Sequence, residues 1–212
     1  DGRISSTSWK GAGSSNQEPM TNFSPAREDS RSYTNLSSHE TMVIWLTGLS
    51  GSGKSAIGQL IYDLWRRQAP NTVMVDGDRI REILGREDDH SYTLEGRHEV
   101  AERIAALCAW LDGGDINVVC CTISLFAELH EHNRRRFSRY FEVYIDVPHD
   151  VLHRRDSKDL YGRAERGEIS NVIGVDLPFT PPSAPDLIID NSADAIDLGP
   201  IAADILSQAS PP

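Results

Sequence analysis

Residues 48–55 read Gly48-Leu49-Ser50-Gly51-Ser52-Gly53-Lys54-Ser55, which fills every fixed position of a G-x-x-x-x-G-K-[ST] phosphate-binding loop. Gly48, Gly51 and Gly53, with Ser50 and Ser52 between them, let the backbone wrap so that successive N–H groups converge on phosphate oxygens. A helix N-terminus behind the loop adds positive potential. Lys54 has the type and spacing to bridge the β- and γ-phosphates of a nucleoside triphosphate, and the Ser55 hydroxyl is suited to ligate Mg²⁺. A Gly/Ser-rich turn can be only a turn, but the complete motif between an apolar run and a helical pattern implies a triphosphate ligand, with ATP and Mg²⁺ the expected cofactors.

Asp76-Gly77-Asp78 ends the next apolar run. In an open parallel sheet that end faces the same crevice as the phosphate loop. One carboxylate there can support Mg²⁺ and the other can accept a proton from an attacking hydroxyl. Asp78 is the candidate general base or alcohol-orienting residue, and Asp76 the candidate metal support. Arg81 and Arg97 are candidates for gripping a substrate anion, with an ordinary surface position as the alternative for each. Ser124 follows a third apolar run at the same sheet edge; its alternative is to cap the helix expected from Ala127. Residues 156–185 are basic at first (Lys158, Arg163, Arg166) and then rich in proline (Pro178, Pro181, Pro182, Pro185). A segment of that length inside a compact domain is expected to be a lid, which would exclude water and add cationic charge over the phosphates.

These residues need a scaffold, and alternating strand and helix patterns supply one. Strands are expected at 43–47, 72–75, 116–122, 140–147 and 187–189, and helices at 53–68, 79–84, 95–111, 127–136, 150–155 and 193–208. Val100, Ile104, Leu107, Cys108 and Leu111 recur at helical spacing, whereas 116–122 is a continuous apolar run suited to a strand buried on both faces. The expected class is α/β, an open parallel sheet with helices on both faces and a lid. Residues 42–212 form that domain. Residues 1–41, rich in Ser, Asn, Gly and Thr, are expected to be a disordered arm, part of it an added tag, since the first residue is not Met.

The 212-residue chain carries a formal net charge of −11, which argues against a nucleic-acid partner. The basic run Arg134-Arg135-Arg136 reads as a solvated helix face. Cys108, Cys120 and Cys121 lie in apolar segments without metal-ligand spacing, so buried free thiols in a reducing compartment are expected. No apolar run approaches the ~20 residues of a membrane span. A cytoplasmic location, a small-molecule partner and no membrane partner follow as expectations.

Taken together these motifs resemble the adenylylsulfate (APS) kinase family over about Val43 to Asn191. The resemblance adds Asp76-Gly77-Asp78-x-x-Arg81, Ile123-Ser124, Arg155-Asp156-x-Lys158-x-Leu160-Tyr161, Gly167-Glu168-Ile169 and Gly174-x-Asp176-x-Pro178-Phe179 to the phosphate loop. It implies a P-loop NTPase fold and transfer of the ATP γ-phosphoryl group to the ribose 3′-hydroxyl of a 5′-activated nucleotide. By position Asp78 resembles the catalytic aspartate, Arg81 and Arg97 the substrate-phosphate arginines, and Tyr92 an aromatic that stacks on the substrate base. Ile123 and Ser124 resemble the segment near the substrate, Lys158 the lid lysine, and Arg155 a residue at the ATP site. Dimers are common in that family, so a homodimer is one expected arrangement.

The acceptor half departs from the family pattern. Val100 stands where an Asn amide is usual, Leu125-Phe126-Ala127 replaces Pro-Tyr-Arg, and Val172 replaces a second base-clamping Phe. Base–aromatic stacking is worth ~1–3 kcal/mol, so half a clamp is a measurable loss. Arg97-x-Glu99-Val100-Ala101 and Thr122 to Phe126 also look like a related branch represented by cytidine diphosphoramidate kinase. Sulfate assimilation is the process implied by the main family and sugar or capsule modification by the branch. A switch-type GTPase is disfavoured by the lack of an Asn-Lys-x-Asp signature, and a non-catalytic nucleotide-binding module remains the rival class.

Overall fold

The computed structural model describes residues 41–85, 89–156, 158–193 and 197–209. The expected arm therefore lies outside the described residues except for Thr41. That residue is built into the domain, where its hydroxyl donates to the buried Asp112 carboxylate at 3.1 Å.

Five strands form one parallel sheet: β1 (Val43–Thr47), β2 (Thr72–Asp76), β3 (Asn117–Cys121), β4 (Tyr140–Asp146) and β5 (Leu187–Asp190), in the order β2-β3-β1-β4-β5. The register aligns Asp76 with Cys121 and Asp146 with Asp190, so the strands end together along one edge. Between them run α1 (Lys54–Gln68), α2 (Gly77–Ile83), α3 (Asp89–Tyr92), α4 (Leu94–Asp112), α5 (Ala127–Arg136), α6 (His149–Arg154), α7 (Leu160–Glu165) and, last, α8 (Leu198–Ala209). Because strand side chains alternate between faces, β1 feeds two cores. Ile44 and Leu46 pack with Ile57 and Ile61 of α1 and Ile205 of α8. Val43 and Trp45 pack with Val100, Ile104 and Cys108 of α4. The adjacent Cys120 and Cys121 divide between the same two cores, and all three cysteines are buried and free.

The closing helix starts at Leu198 rather than at 193 as expected. Pro200 is the reason: it fits a first turn, where its missing N–H is not needed, but not an interior one. The Asp197 carboxylate accepts from the Gly199 amide at 3.0 Å just ahead of it. Two short helices, α3 and α7, were not expected at all. The N-cap of α7, Asp159, makes no side-chain bond; the Asp156 carboxylate instead accepts from the first-turn amides of Leu160 (2.8 Å) and Tyr161 (2.6 Å), in a stretch without helical periodicity. The basic run on α5 also needs correction. Arg134 is not a solvated side chain, since it is bound to Asp186 at 2.9 Å and to the buried Glu142 at 3.2 Å.

Two local features hold the site's neighbours in place. Gly58 of α1 faces the Cys121 side chain of β3 so closely that an added Cβ would collide with the sulfur. Further along, residues 171–177 close on themselves. The Asp176 carboxylate accepts from the Asn171 (2.6 Å) and Val172 (2.5 Å) amides, and the Gly174 amide donates to Leu177 at 2.8 Å. Gly58→Ala is expected to lower stability by about 1–2 kcal/mol in denaturant titration, overpacking outweighing the gain in helix propensity. Cys121→Ala in the same background should restore part of that loss, and an unchanged midpoint for the single variant would contradict the contact. Asp176→Ala should speed hydrogen exchange at the Asn171 and Val172 amides about tenfold or more, because each loses a charged acceptor. Unaltered protection at both would show that the carboxylate is not what closes the loop.

Candidate active site

The phosphate loop joins β1 to α1. Gly51 and Gly53 have φ of 78° and 97°, left-handed values that side-chain-bearing residues rarely adopt. At Gly53 a Cβ would also sit 2.6 Å from the Asn191 amide nitrogen. No side chain caps α1, so its first-turn N–H groups are left for a ligand. The loop is held from its carbonyl side: Asn191 Nδ2 donates to Ser52 at 2.8 Å and the Tyr161 hydroxyl donates to Ser50 at 2.7 Å. Lys54 is half-buried and bends back, its Nζ donating to the Leu49 carbonyl at 2.6 Å. Burial lowers its pKa to about 8, against the opposing pull of the Asp78 and Asp76 carboxylates. Nearby, burial also pushes the Cys121 thiol up to about 12, so it stays protonated and gives no thiolate nucleophile.

Ser55 Oγ donates to Asp76 Oδ2 at 2.6 Å, while Asp76 Oδ1 accepts from the Asp78 amide at 3.0 Å and caps α2. Two oxygens side by side at the loop suit Mg²⁺, which takes one or two protein ligands and completes its shell with water and phosphate. Among the described residues no group of three or more His, Cys, Asp or Glu suggests a denser metal site. Asp78 lies beside the segment that follows α6, where Lys158 Nζ is 3.3 Å from its Oδ2. Both side chains are exposed, so the pair adds little stability but brings the lid cation to the carboxylate.

Arg81 and Arg97 are not ordinary surface arginines. Each guanidinium lies 5.4 Å from the centre of the Tyr92 ring. Arg81 donates to the Ser91 carbonyl at 3.0 Å, and Arg97 to Tyr92 (2.9 Å) and, across to the lid, to Asn171 (2.7 Å). Burial and the neighbouring Arg81 lower the pKa of Arg97 to about 10. Two like charges drawn together with partial loss of water make a strong anion subsite. Arg155 donates to the carbonyls of Asn191 (2.7 Å) and Ala193 (2.6 Å).

One cavity of about 1150 Å³ takes in Lys54, Asp78, Arg81, Arg97, Ser124 and Lys158. Tyr92, Asp76, Ser50, Ser55, Ile123 and Arg155 line it as well, and Gly48 and Ser52 lie in the loop behind it. Its volume lies just above the roughly 300–1,000 Å³ of a single small-molecule site. Val100, Phe126 and Val172 give it an apolar wall. Ser124 does not cap α5, whose N-cap is Phe126 without a side-chain bond; its Oγ instead accepts from the Trp45 indole at 2.7 Å. Sequence reasoning missed Asn191 and assigned Tyr161 no separate role. The only signal for Asn191 was a polar residue closing an apolar strand, and Tyr161 appeared only as one letter of a motif.

Comparisons with known proteins place the sequence and the fold. The family model for adenylylsulphate kinase matches residues 40–190. The cytidine diphosphoramidate kinase of Campylobacter jejuni is 42% identical over 150 residues, which cover 71% of this chain and 86% of the relative. A probable adenylyl-sulfate kinase of Bacillus subtilis is 32% identical over 194 residues, 90% of this chain and 94% of the relative. Among solved structures, the Mycobacterium tuberculosis APS kinase in complex with AMPPNP and APS superposes with a TM-score of 0.72 at 28% identity, covering 80% of this chain and 97% of that one. No helix among the described residues is long and apolar enough to cross a membrane. With a parallel P-loop kinase sheet and a complete phosphate loop on one cavity, the chain belongs to the adenylylsulphate kinase family and is an ATP-dependent kinase.

Proposed function

We propose that this kinase transfers the γ-phosphoryl group of ATP to the ribose 3′-hydroxyl of a 5′-activated nucleotide, adenylyl sulfate by family membership. The observation that carries the reading is the single cavity shared by the phosphate loop, Asp78 and the Arg81–Arg97 pair. The loop amides and Lys54 hold the β- and γ-phosphates, with Lys54 swinging away from the Leu49 carbonyl. Ser55 and Asp76 would hold Mg²⁺, which when bound supplies charge neutralisation across the phosphates. Arg81 and Arg97 grip the anionic 5′ group of the acceptor, and Tyr92 stacks on its base. Asp78 orients the hydroxyl in line with the γ-phosphorus, and Lys158 brings positive charge over the transferring group. Such transition states are loose, so positioning and charge outweigh base strength. A second reading, transfer to a cytidine diphosphoramidate-type acceptor, is favoured by the 42% identity to the Campylobacter jejuni enzyme. The apolar Val100 where the family carries an amide points the same way.

ADP release measured with adenylyl sulfate, with cytidine 5′-diphosphoramidate and with no acceptor tests both readings. Turnover dependent on the first supports the main reading, and turnover on the second alone replaces it. Acceptor-independent hydrolysis, or nucleotide binding without turnover, overturns both. The low pKa of Lys54, about 8, gives a separate check. Bound triphosphate favours the charged amine and raises that value, so binding takes up a proton above pH 8. The Kd for MgATP should therefore rise from about pH 8 upward, by at most about tenfold per pH unit. Lys54→Ala should bind weakly with a flat profile over that range and lose about 10²–10³-fold in turnover. A wild-type Kd flat from pH 7 to 9.5 would remove Lys54 from the phosphate site.

A further inference from the structure

Ser124 lines the active-site cavity in a conformation that its residue type does not favour. Its φ is 51°, and among the described residues the other non-glycine residues with positive φ are Asp115, Asp159 and Asn171. Asp and Asn tolerate left-handed backbone because their side chains bond locally; Ser has much less of that preference. Strain of this kind persists only where surrounding structure over-determines it. Two separate elements do so here. From β1, the Trp45 indole Nε1 donates to Ser124 Oγ at 2.7 Å. From α5, His130 Nε2 lies 3.3 Å from the Ser124 carbonyl oxygen, and the other ring nitrogen of His130 is bound to Glu142.

The far end of this chain is costly in itself. Glu142 lies on β4 with 1% of its surface exposed, and a carboxylate so placed needs partners. It has three: His130 Nδ1, the Tyr140 hydroxyl at 3.0 Å and Arg134 Nη2 at 3.2 Å. Burial and the Glu142 charge push the Tyr140 phenol upward, which keeps it a donor. Arg134 is itself anchored to Asp186 and to the Ala184 carbonyl, and Asp186 accepts from the Glu142 amide at 2.7 Å. The network runs from Asp186 and Arg134 through the buried Glu142 and His130 to the Ser124 carbonyl at the cavity wall. A fold staple would not need to end there. Because the indole N–H occupies a lone pair of Ser124 Oγ, the hydroxyl's own proton is left to be donated into the cavity.

We propose that Trp45 and the His130–Glu142 pair are positioning residues for the acceptor half of the site, holding Ser124 so that its hydroxyl donates to an anionic oxygen of the acceptor's activated 5′ group. The inference rests on the phosphoryl-transfer reading above and adds to it the residues that orient Ser124. Trp45→Phe removes the N–H while keeping a ring against Phe137 and Tyr140, now 6.2 and 6.3 Å away. It is expected to raise the acceptor KM about tenfold, leaving the ATP Kd unchanged. Ser124→Ala should lose a similar amount, and the double variant should be no worse than Ser124→Ala alone, since both cut one chain of bonds. His130→Gln, whose amide can still donate to the Ser124 carbonyl, should retain more acceptor affinity than His130→Leu. This pair keeps the proposal testable if Trp45→Phe does not fold.

An unchanged acceptor KM in Trp45→Phe, additive losses in the double variant, or equal loss of ATP affinity would each overturn the positioning role, as would indistinguishable His130 variants. Those outcomes leave wild-type turnover, and hence the reaction, intact. If the wild type phosphorylates neither acceptor, the reaction itself is misassigned and the role given to Trp45 falls with it.

Discussion

The first turn of α1 has no side-chain cap, and the arrangement of the site follows from that. Bare helix N–H groups are useful to a triphosphate and unfavourable to an empty protein, so the loop bearing them must be held by something other than a cap. Here the grip comes from the carbonyl side. Asn191 at the end of β5 holds Ser52, and Tyr161 of the lid holds Ser50. Gly48 passes so close to the Ile145 carbonyl that a Cβ would lie 2.6 Å from it. The glycines therefore serve two purposes, turning the chain and letting the neighbouring strand and the Asn191 side chain approach. Packing of β4, β5 and α7 thus becomes part of the phosphate site, although none of them supplies a loop residue.

The two halves of the cavity are built on different physical terms. At the donor half, backbone dipoles, one lysine with a lowered pKa and a serine–aspartate oxygen pair lie on rigid elements. At the half proposed for the acceptor, Arg81 and Arg97 share the Tyr92 ring, Arg81 donates to the Ser91 carbonyl and Arg97 to that of Asn171. Their mutual repulsion is held in place by tertiary packing, and an anion bound between them would relieve it. The apolar wall at Val100, Phe126 and Val172 offers shape and no hydrogen-bond code. Under the proposed reading, discrimination among acceptors would fall on a few polar contacts, because an unmet polar group costs far more than a missing apolar contact.

Much of the scaffold was readable from periodicity. The β1–α1 unit, the strand endings at Asp76 and Cys121, and the long α4 lie within a residue or two of expectation, since an apolar run or a 3.6-residue stripe is a local property. Short helices escaped for the opposite reason. α7 depends on the Asp156 carboxylate accepting from three amides rather than on any stripe. α8 begins at Leu198 rather than at the expected residue 193, because Pro200 restricts where the first turn can fall. The partners of Arg134, Asp186 and Glu142, lie 52 and 8 residues away along the chain, so a local pattern shows only a charged helix face.

By itself the sequence determined the phosphate loop, the parallel alternation of strands and helices, and the carboxylate and cation types available at the sheet edge. Each is set by residue identity over short spans, where steric and hydrogen-bonding rules act directly. Only the tertiary structure decided that Arg81 and Arg97 meet over Tyr92, that Lys158 reaches Asp78, that Asn191 secures the loop, and that Trp45 and His130 hold Ser124 from opposite ends. Those contacts join residues far apart in the chain, and their geometry depends on strand order and register, which no local pattern encodes.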